Sequence, residues 1–520
     1  MEKQRKLIKH MLKPSFFGPS EPEAELIETH ISWIFLSGGY AYKMKKPVNF
    51  GFLDFSSLAK RQFFCTEELR LNRRFAPDLY LAVTPVGGTS DEPLLGEEPA
   101  LDYLVKMRRF PQESQLDRML AANKLQPDIL MAFAEKIASV HRQADKADHR
   151  SSFGTPESII KPVRQNFEQI RSALPDSTSI QSINTIDDWS ETTFSALQPV
   201  LLARREEGFI REGHGDMHLA NMAWFTDKPL LFDCIEFNEN LRWIDTINDI
   251  AFLVMDLDDR DRNQFAWVFL NAYLRHTGDY VGLRLLRFYQ VYRAMVRAKV
   301  LCLRLRQPGL STEERQADLE SLESYLTLAE GYTQGQPPQL VITHGLSGSG
   351  KTTFINELAP HIDAICIHSD RERKRLHQPE NSQFDSTAVH QGIYSDTASA
   401  KTYHRLTHLA GLILDAGFNV IVDATFITKV YRQQLQQLAT DRQCALTILD
   451  FHLKEELLRQ RIKQRAQQAD SMSDADEKVL DFQIANADPL TEQERNISIL
   501  VDEQTTAKTV GQTLRQNSNN

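Results

Sequence analysis

Apolar residues in the first part of the chain alternate with polar ones, and this period of two is typical of strands. The strands that it predicts lie at 31–45, around the turn Gly38-Gly39, and at 79–86 and 103–107. Further on, apolar residues recur every three to four positions, which predicts helices over 127–143 and over most of 155–330, apart from 209–237. We therefore expect a β-rich lobe over about 1–110 and a helical lobe over about 111–332.

The helical pattern breaks at 331–339, where the sequence GYTQGQPPQ is rich in Gly, Pro and Gln. Because such residues end helices and start turns, we interpret 333–339 as a linker between two domains. Beyond it, apolar strand patterns alternate with helical stretches, as in a parallel sheet covered by helices. Those strands are predicted at 340–344, 364–368, 418–423 and 446–451. We expect the second domain over 340–510 and a flexible polar tail over 511–520.

The composition narrows the class of protein. With 520 residues, 41% of them hydrophobic and 25% charged, the chain is expected to be soluble and to form more than one core. It holds no run of eighteen apolar residues that could cross a bilayer, and its first residues lack the apolar stretch of a signal peptide. Five scattered cysteines favour the reduced cytoplasm, and a net charge of −10 counts against nucleic acid as a partner.

One motif in the second domain is specific for nucleotides. The sequence GLSGSGKT matches G-x-x-x-x-G-K-[ST] in full, directly after an apolar strand and before a helical pattern. Backbone N–H groups of such a loop surround phosphate oxygens, while Lys351 reaches the terminal phosphates and Thr352 ligates Mg²⁺. The sequence thus predicts ATP and Mg²⁺ as cofactors. The expected nucleotide contacts are Gly345, Leu346, Ser347, Gly348, Ser349, Gly350, Lys351, Thr352 and Thr353.

Other polar residues in this domain follow strands or line a helix. Asp423 ends an apolar strand, where it is expected to ligate the metal or, alternatively, to cap the strand end. Asp370 also follows a strand and is a candidate base for the acceptor hydroxyl, with a helix N-cap as the equally weighted alternative. Arg461 and Arg465 share one helical face at i, i+4 and are candidates for a catalytic lid over the phosphates, or else a solvated face.

A second centre is predicted upstream. His214 to Asn221 reads HGDMHLAN, and Asp233 follows at the end of an apolar segment. Asn221 lies five residues after Asp216, and a carboxylate follows at a strand end. Kinases place a catalytic base and two metal ligands at this spacing.

Here the chain resembles the aminoglycoside and choline kinase-like phosphotransferases, whose catalytic loop reads H-G-D-x-H-x-x-N. The resemblance implies Asp216 as base, and Asn221 with Asp233 as Mg²⁺ ligands. It also implies that Lys43 holds the α/β-phosphates with Glu68 as its ion-pair partner, and that Asp249 braces the catalytic loop.

Two departures from that family concern the phosphates and the metal. Only Ser37-Gly38-Gly39 precedes Lys43, in place of G-x-G-x-x-G, and Asp233 is followed by Cys-Ile-Glu, so that Glu236 is a candidate further metal ligand. A domain that binds nucleotide without transferring phosphate is therefore the alternative.

The second domain resembles the P-loop small-molecule and polynucleotide kinases, including zeta-toxin-like enzymes, on its P-loop, Ser369-Asp370, Asp423-Ala424-Thr425 and the Arg461/Arg465 pair. The resemblance implies transfer of phosphate from ATP to a hydroxyl, with Asp370 as base. Nearly the full length is similar to bacterial bifunctional aminoglycoside phosphotransferase-like/ATP-binding fusion proteins. This implies a protein-kinase-like α+β fold for the first domain and an α/β P-loop fold for the second.

We therefore predict an ATP-dependent phosphotransferase that acts on a hydroxyl of a small molecule. Three alternatives remain open from the sequence: catalysis in the second domain alone with a nucleotide-sensing first domain, an NTP-gated interaction module, and phosphorylation of nucleic-acid ends.

Two sets of residues have weaker signals. His141 is a candidate nucleotide contact but is more readily a packed histidine. Six basic residues could form a cationic wall for an anionic acceptor or, more simply, a solvated face. They are Lys45, Lys46, Arg73, Arg74, Arg108 and Arg109.

Overall fold

The computed structural model describes residues 2–19, 21–51, 53–174, 179–307, 309–377, 396–466 and 477–518. Their contacts define two units. Unit 1 comprises Met1–Asp259 and Phe288–Glu330, and unit 2 comprises Arg260–Arg287 and Gly331–Asn520. Unit 2 thus includes a stretch that the sequence-based division places in the helical lobe of the first domain.

The strands are β1 (Glu25–Glu28), β2 (Ser32–Ser37), β3 (Tyr40–Lys45), β4 (Tyr80–Gly88), β5 (Pro93–Leu95), β6 (Asp102–Arg108), β7 (Ile210–Glu212), β8 (Met222–Phe225), β9 (Lys228–Leu231), β10 (Trp243–Asp245), β11 (Gln339–His344), β12 (Ala364–His368), β13 (Asn419–Asp423), β14 (Ala445–Phe451) and β15 (Ser498–Val501). The helices are α1 (Glu2–Met11), α2 (Leu58–Arg73), α3 (Leu116–Ala121), α4 (Pro127–Gln143), α5 (Pro156–Ala173), α6 (Ile180–Glu206), α7 (Thr246–Asp259), α8 (Asn263–Thr277), α9 (Leu283–Leu305), α10 (Thr312–Thr333), α11 (Lys351–Leu358), α12 (Ser369–His377), α13 (Asp396–Asp415), α14 (Lys429–Asp441), α15 (Glu455–Ala466), α16 (Glu477–Ala485), α17 (Glu492–Asn496) and α18 (Ala507–Ser518). None of these helices is long and apolar enough to cross a membrane.

Unit 1 begins with an antiparallel sheet in the order β1-β2-β3-β6-β4-β5. Side chains of β3 alternate between its two faces, so Tyr42 and Met44 join the cluster beneath α1 while Lys43 and Lys45 lie on the opposite face. Helix α2 packs against β4 and β6 on that opposite face. The strand pattern thus brings two lysines to the helix that carries Glu68.

The helical part of unit 1 holds the loop after β7. Strand β7 precedes this loop in sequence, whereas the hairpin β8–β9 and strand β10, which pairs with β7, follow it. Helix α7 is buried along most of its length. The predicted helix over 127–143 is confirmed as α4, and the strands predicted upstream are confirmed as β2, β3, β4 and β6. This part positions the candidate catalytic loop of unit 1.

Unit 2 is built on a five-stranded parallel sheet in the order β12-β13-β11-β14-β15. The four predicted strands are confirmed, and the fifth, β15, is a four-residue strand that the sequence pattern missed. The predicted tail over 511–520 is wrong as far as Ser518, because α18 continues through it. Val510 and Leu514 on that helix are buried in the core of unit 2, at an apolar spacing that the polar composition concealed.

Helix α8 covers the edge of this sheet. The Nδ2 atom of Asn271 donates to the Ala364 carbonyl at 2.9 Å, and its Oδ1 accepts from the Cys366 N–H at 2.7 Å. Because β12 is an edge strand, one carboxamide here satisfies two backbone groups that a neighbouring strand would otherwise satisfy. The Trp267 ring on the same helix lies 6.1 Å from that of Phe418.

Candidate active sites

The predicted phosphate-binding loop lies between β11 and α11. Gly350 precedes the helix with a φ of 87°, a left-handed conformation that suits glycine. The Nζ atom of Lys351 donates to the carbonyl oxygens of Gly345 at 2.9 Å and Leu346 at 2.8 Å, which holds the lysine along the loop. The loop therefore has the strand–loop–helix context that its motif requires.

The two predicted metal ligands of this loop lie side by side. The Thr352 Oγ1 atom donates to Asp423 Oδ2 at 2.7 Å, and the His368 Nδ1 atom lies 3.1 Å from the same oxygen. Burial raises the pKa of the Asp423 carboxyl, but the hydrogen bond and charge of His368, with Lys351 and Thr352, outweigh it and leave the pKa below its usual value. An ionised carboxylate and a hydroxyl are oxygen ligands that suit Mg²⁺.

A cavity of about 700 Å³ opens beside the loop. Ser349, Gly350 and Thr353 line it, together with Arg461. A Cβ atom on Gly350 would lie 3.3 Å from a guanidinium nitrogen of Arg461, so the arginine approaches the start of α11. The volume suits a nucleoside. Arg465 lies in α15, and its side chain is outside the described residues.

Asp370 lies in the first turn of α12. Its Oδ1 atom is 3.3 Å from the Arg373 guanidinium, and 36% of its side chain is exposed. A carboxylate is stabilised in the first turn of a helix by the helix dipole, which accounts for the residue without a catalytic role. Its role as a base stays a prediction.

In unit 1, Asp216 and Asn221 contact each other. The Nδ2 atom of Asn221 donates to both the backbone oxygen and Oδ2 of Asp216 at 3.0 Å, and His218 Nε2 lies 3.4 Å from the same Oδ2. Burial raises the pKa of the Asp216 carboxyl, but His218, His214 and Arg293 outweigh it and hold the pKa well below its usual value. Asp216 is therefore ionised and can accept a hydrogen bond from a hydroxyl.

Asp249 braces this loop from α7. Its carboxylate accepts the backbone N–H groups of His214 at 2.7 Å and Gly215 at 2.9 Å, as the family resemblance implied. The His141 Nε2 atom lies 3.1 Å from the same carboxylate, and the His141 side chain is 3% exposed. His141 is thus a packed support of the loop.

The predicted Lys43–Glu68 pair belongs to a larger buried network. Lys43 Nζ lies 2.9 Å from Glu68 Oε1 and 2.5 Å from Asp233 Oδ1. Lys45 Nζ lies 2.6 Å from Glu68 Oε2 and also contacts Glu236. Burial by itself would lower the pKa of each lysine, but the carboxylates reverse the effect, so both lysines are protonated.

This network corrects two expectations from the sequence. Glu236, a candidate further metal ligand, is instead buried against Lys45. Lys45, considered only as part of a basic surface, is fully buried between two carboxylates. Its period-two spacing from Lys43 was the signal that could have identified it.

Several of the basic residues considered for a cationic wall are instead bonded to groups of unit 1. Arg74 contacts Glu212 at 3.2 Å, Lys46 pairs with Glu28 at 2.5 Å, and Arg73 donates to the Tyr80 carbonyl at 3.0 Å. Arg74 and Lys46 therefore form ion pairs within unit 1, and Arg73 forms a hydrogen bond to its backbone.

The buried network of Lys43, Glu68 and Lys45 predicts that the stability of unit 1 falls at acid pH. Burial raises the pKa of Glu68, but Lys43 and Lys45 overcome this and lower it from 4.5 to about 2. A carboxyl whose pKa is lowered on folding stabilises the fold above its unfolded pKa, and that stability is lost as pH falls from about 4.5 to about 2. We expect Glu68→Gln to show a shallower loss of stability than the wild type over this range, measured by urea unfolding. Parallel curves would contradict the assignment.

Family models match two parts of the chain, and the first match extends into the stretch that the contacts assign to unit 2. The Phosphotransferase enzyme family model matches residues 59–286, and the AAA domain model matches residues 340–490. The "Uncharacterized protein Rv2004c" of Mycobacterium tuberculosis and the "Uncharacterized protein Mb2027c" of Mycobacterium bovis are each 30% identical over 450 residues, which span 86% of this chain and 87% of the relative.

Similar solved structures include those of kinases. An amicoumacin kinase, hAmiN, in complex with AMP-PNP, Ca²⁺ and Ami is 12% identical, with a TM-score of 0.39 over 63% of this chain and 94% of the other. A sugar kinase from Janibacter sp. is 21% identical, with a TM-score of 0.27 over 35% of this chain and 94% of the other. The family matches, with the parallel sheet of unit 2, confirm the predicted fold class for both parts.

Proposed function

Since this chain belongs to the family of bacterial fusion proteins that join an aminoglycoside phosphotransferase-like domain to a P-loop kinase domain, we propose that it is an ATP-dependent phosphotransferase. The proposed reaction is transfer of the γ-phosphoryl group to a hydroxyl of a small molecule. Its two domains have the residue types that phosphoryl transfer needs, namely phosphate-binding cations, metal ligands and a carboxylate that orients the acceptor.

The observation that carries the proposal is the arrangement at the P-loop. Lys351 lies along the loop, and Thr352 contacts Asp423 at 2.7 Å. Ser349 and Gly350 of the same loop line a nucleoside-sized cavity. Thr352 and Asp423 would hold Mg²⁺, which neutralises charge on the phosphates when bound. Arg461 can approach the phosphates from the facing helix. Asp370 is the proposed base in this domain.

The upstream domain has its own residues for binding phosphates, holding Mg²⁺ and orienting an acceptor hydroxyl. Lys43, paired with Glu68, would bind the α/β-phosphates, and Asn221 with Asp233 would hold Mg²⁺. Asp216, ionised and held by Asn221, would accept a hydrogen bond from the acceptor hydroxyl and orient it.

One observation counts against phosphate transfer upstream and so favours a second candidate, in which only the P-loop domain transfers phosphate. A Cβ atom on Gly38 would lie 2.3 Å from a carboxylate oxygen of Glu21, so an anionic group occupies the space beside the glycine turn. A carboxylate there disfavours close approach of phosphates to this turn.

The proposal is tested by ³¹P-detected product formation from Mg-ATP and a metabolite extract. We compare the wild type with Asp216→Asn and Lys351→Ala, each expected to lower formation of its own product by about two orders of magnitude. Glu313→Gln, on the exposed first turn of α10, is the matched control and is expected to behave as wild type.

The outcomes separate the candidates. Loss of a different product in each variant supports two phosphotransfer sites. If Asp216→Asn changes nothing while Lys351→Ala removes every product, the upstream domain is the sensor. If the wild type phosphorylates nothing, the phosphotransferase proposal fails, and an NTP-gated interaction module would take its place.

A further inference from the structure

Gln483 of helix α16 is hydrogen-bonded to the phosphate-binding loop. The backbone N–H of Ser347 donates to Gln483 Oε1 at 2.9 Å, and Gln483 Nε2 donates to Ser347 Oγ at 2.9 Å. Both bonds have the length of an ordinary hydrogen bond, and a single carboxamide makes both. Gln483 therefore fixes the backbone of a loop residue and its side chain together.

The backbone group that Gln483 holds also contacts Lys351. The peptide unit between Leu346 and Ser347 presents its N–H to Gln483 and its carbonyl to the Lys351 ammonium, at 2.8 Å. The peptide unit is planar, so a constraint on its N–H also sets the direction of its carbonyl. Gln483 thus acts on Lys351 through one rigid group.

Apolar packing holds α16 near the loop. Leu480, fully buried on α16, clusters with Leu458 and Ile462 of α15 and with Leu346 of the loop itself. Asp481, next to Leu480, pairs with Arg459 of α15 at 2.6 Å. These contacts are all made by groups of the protein itself, and they hold Gln483 within reach of Ser347.

We propose that Gln483 is a positioning residue of the P-loop site, which orients the 346–347 peptide and through it the lysine that binds the terminal phosphates. This rests on the proposed function, because it presumes that the loop binds ATP. Lys351 meets the β- and γ-phosphates, so loss of the constraint is expected to weaken ATP binding more than ADP binding.

The test is equilibrium binding of fluorescent mant-ATP and mant-ADP, with Mg²⁺, to the full-length protein, in which the part of the signal that Lys351→Ala removes or weakens is assigned to the P-loop site. Gln483→Ala removes two neutral hydrogen bonds, of which the one to the Ser347 N–H orients the peptide that faces Lys351. The variant is therefore expected to raise the Kd for mant-ATP about five- to tenfold and that for mant-ADP about twofold. Asn486→Ala is the matched control, because this exposed amide one turn away donates to the Phe482 carbonyl of its own helix, and it is expected to leave both Kd values within about twofold.

Measuring Gln483→Ala in the Lys351→Ala variant separates an effect on the position of Lys351 from a general effect on packing. Because Gln483 acts through Lys351, adding Gln483→Ala to Lys351→Ala is expected to cause no further loss of affinity, whereas independent effects would multiply. Gln483→Met, which retains the length of the side chain, is expected to show the same ATP-selective loss and serves if the alanine variant folds poorly.

Two results would overturn the inference: wild-type Kd values in both Gln483 variants, or equal losses for ATP and ADP that persist without Lys351. If the wild type itself does not bind mant-ATP, the proposed function fails as well. If the wild type binds and Lys351→Ala does not, while both Gln483 variants bind as wild type, only the positioning role fails.

Discussion

Replacement of Glu68 by alanine is expected to destabilise unit 1 by about 3–5 kcal/mol, because it removes the carboxylate shared by two buried ammonium groups. Lys43 would retain Asp233 and Lys45 would retain Glu236, but the two cations would face each other across the vacated space. Neither side chain is exposed enough for water to replace the lost carboxylate, since Lys43 is 7% and Lys45 0% exposed.

Native-state hydrogen exchange of β3 and α2 peptides measures this loss without assuming that both units unfold together. Glu67→Ala is the matched control on the same helix. Glu67 pairs with Arg70, whose side chain is 46% exposed, and lies 3.7 Å from Arg242. Because Arg242 would keep Glu212 and Glu239 as partners, loss of Glu67 is expected to cost only about 1 kcal/mol. Equal effects of the two substitutions would show that the buried network does not stabilise the sheet.

Replacement of Asn271 by alanine is expected to destabilise unit 2 by about 2–4 kcal/mol, because the carbonyl of Ala364 and the N–H of Cys366 would lose their partner. Both residues are buried, so their polar groups cannot readily turn to water. The effect is expected at β12, which leads directly into α12 and Asp370.

Hydrogen exchange of the Cys366 amide is the direct readout, and we expect its protection to fall more than that of β14 amides in the sheet interior. Gln264→Ala on the same helix is the control, because Gln264 makes an exposed contact with His361. Unchanged protection of Cys366 in Asn271→Ala would contradict the role of α8 as a cover for the sheet edge.

The P-loop illustrates what a sequence pattern predicts well. Its glycines, Lys351 and Thr352 are local neighbours, and the apolar strand before them follows from side-chain alternation alone. The four longer strands of unit 2 were predicted for the same reason. The four-residue β15 was missed, and the polar composition of α18 concealed its apolar stripe, because short or sparsely apolar elements give little periodic signal.

The role of Lys45 could not be predicted from the sequence pattern, because it depends on the tertiary structure. The sequence places it two residues from Lys43, but only the fold brings Glu68 from α2 and Glu236 from beyond the catalytic loop to the same face of β3. Ion pairs between distant segments leave no periodic signal in the sequence. From the sequence, Lys45 is therefore interpreted as one of several basic surface residues. The same holds for Gln483 and Ser347, which lie 136 positions apart.

Local patterns in the chain predicted a β-rich part, a helical part and a parallel sheet covered by helices, together with the phosphate-binding loop and the Asp216–Asn221–Asp233 spacing. Each of these depends on local period or on motif spacing, whereas the kinase-like fold class followed from the family resemblance. The tertiary structure alone decided that Arg260–Arg287 packs with the P-loop unit and that Glu236 pairs with Lys45. These depend on long-range packing, in which a buried polar group takes whatever partner the folded chain brings within reach.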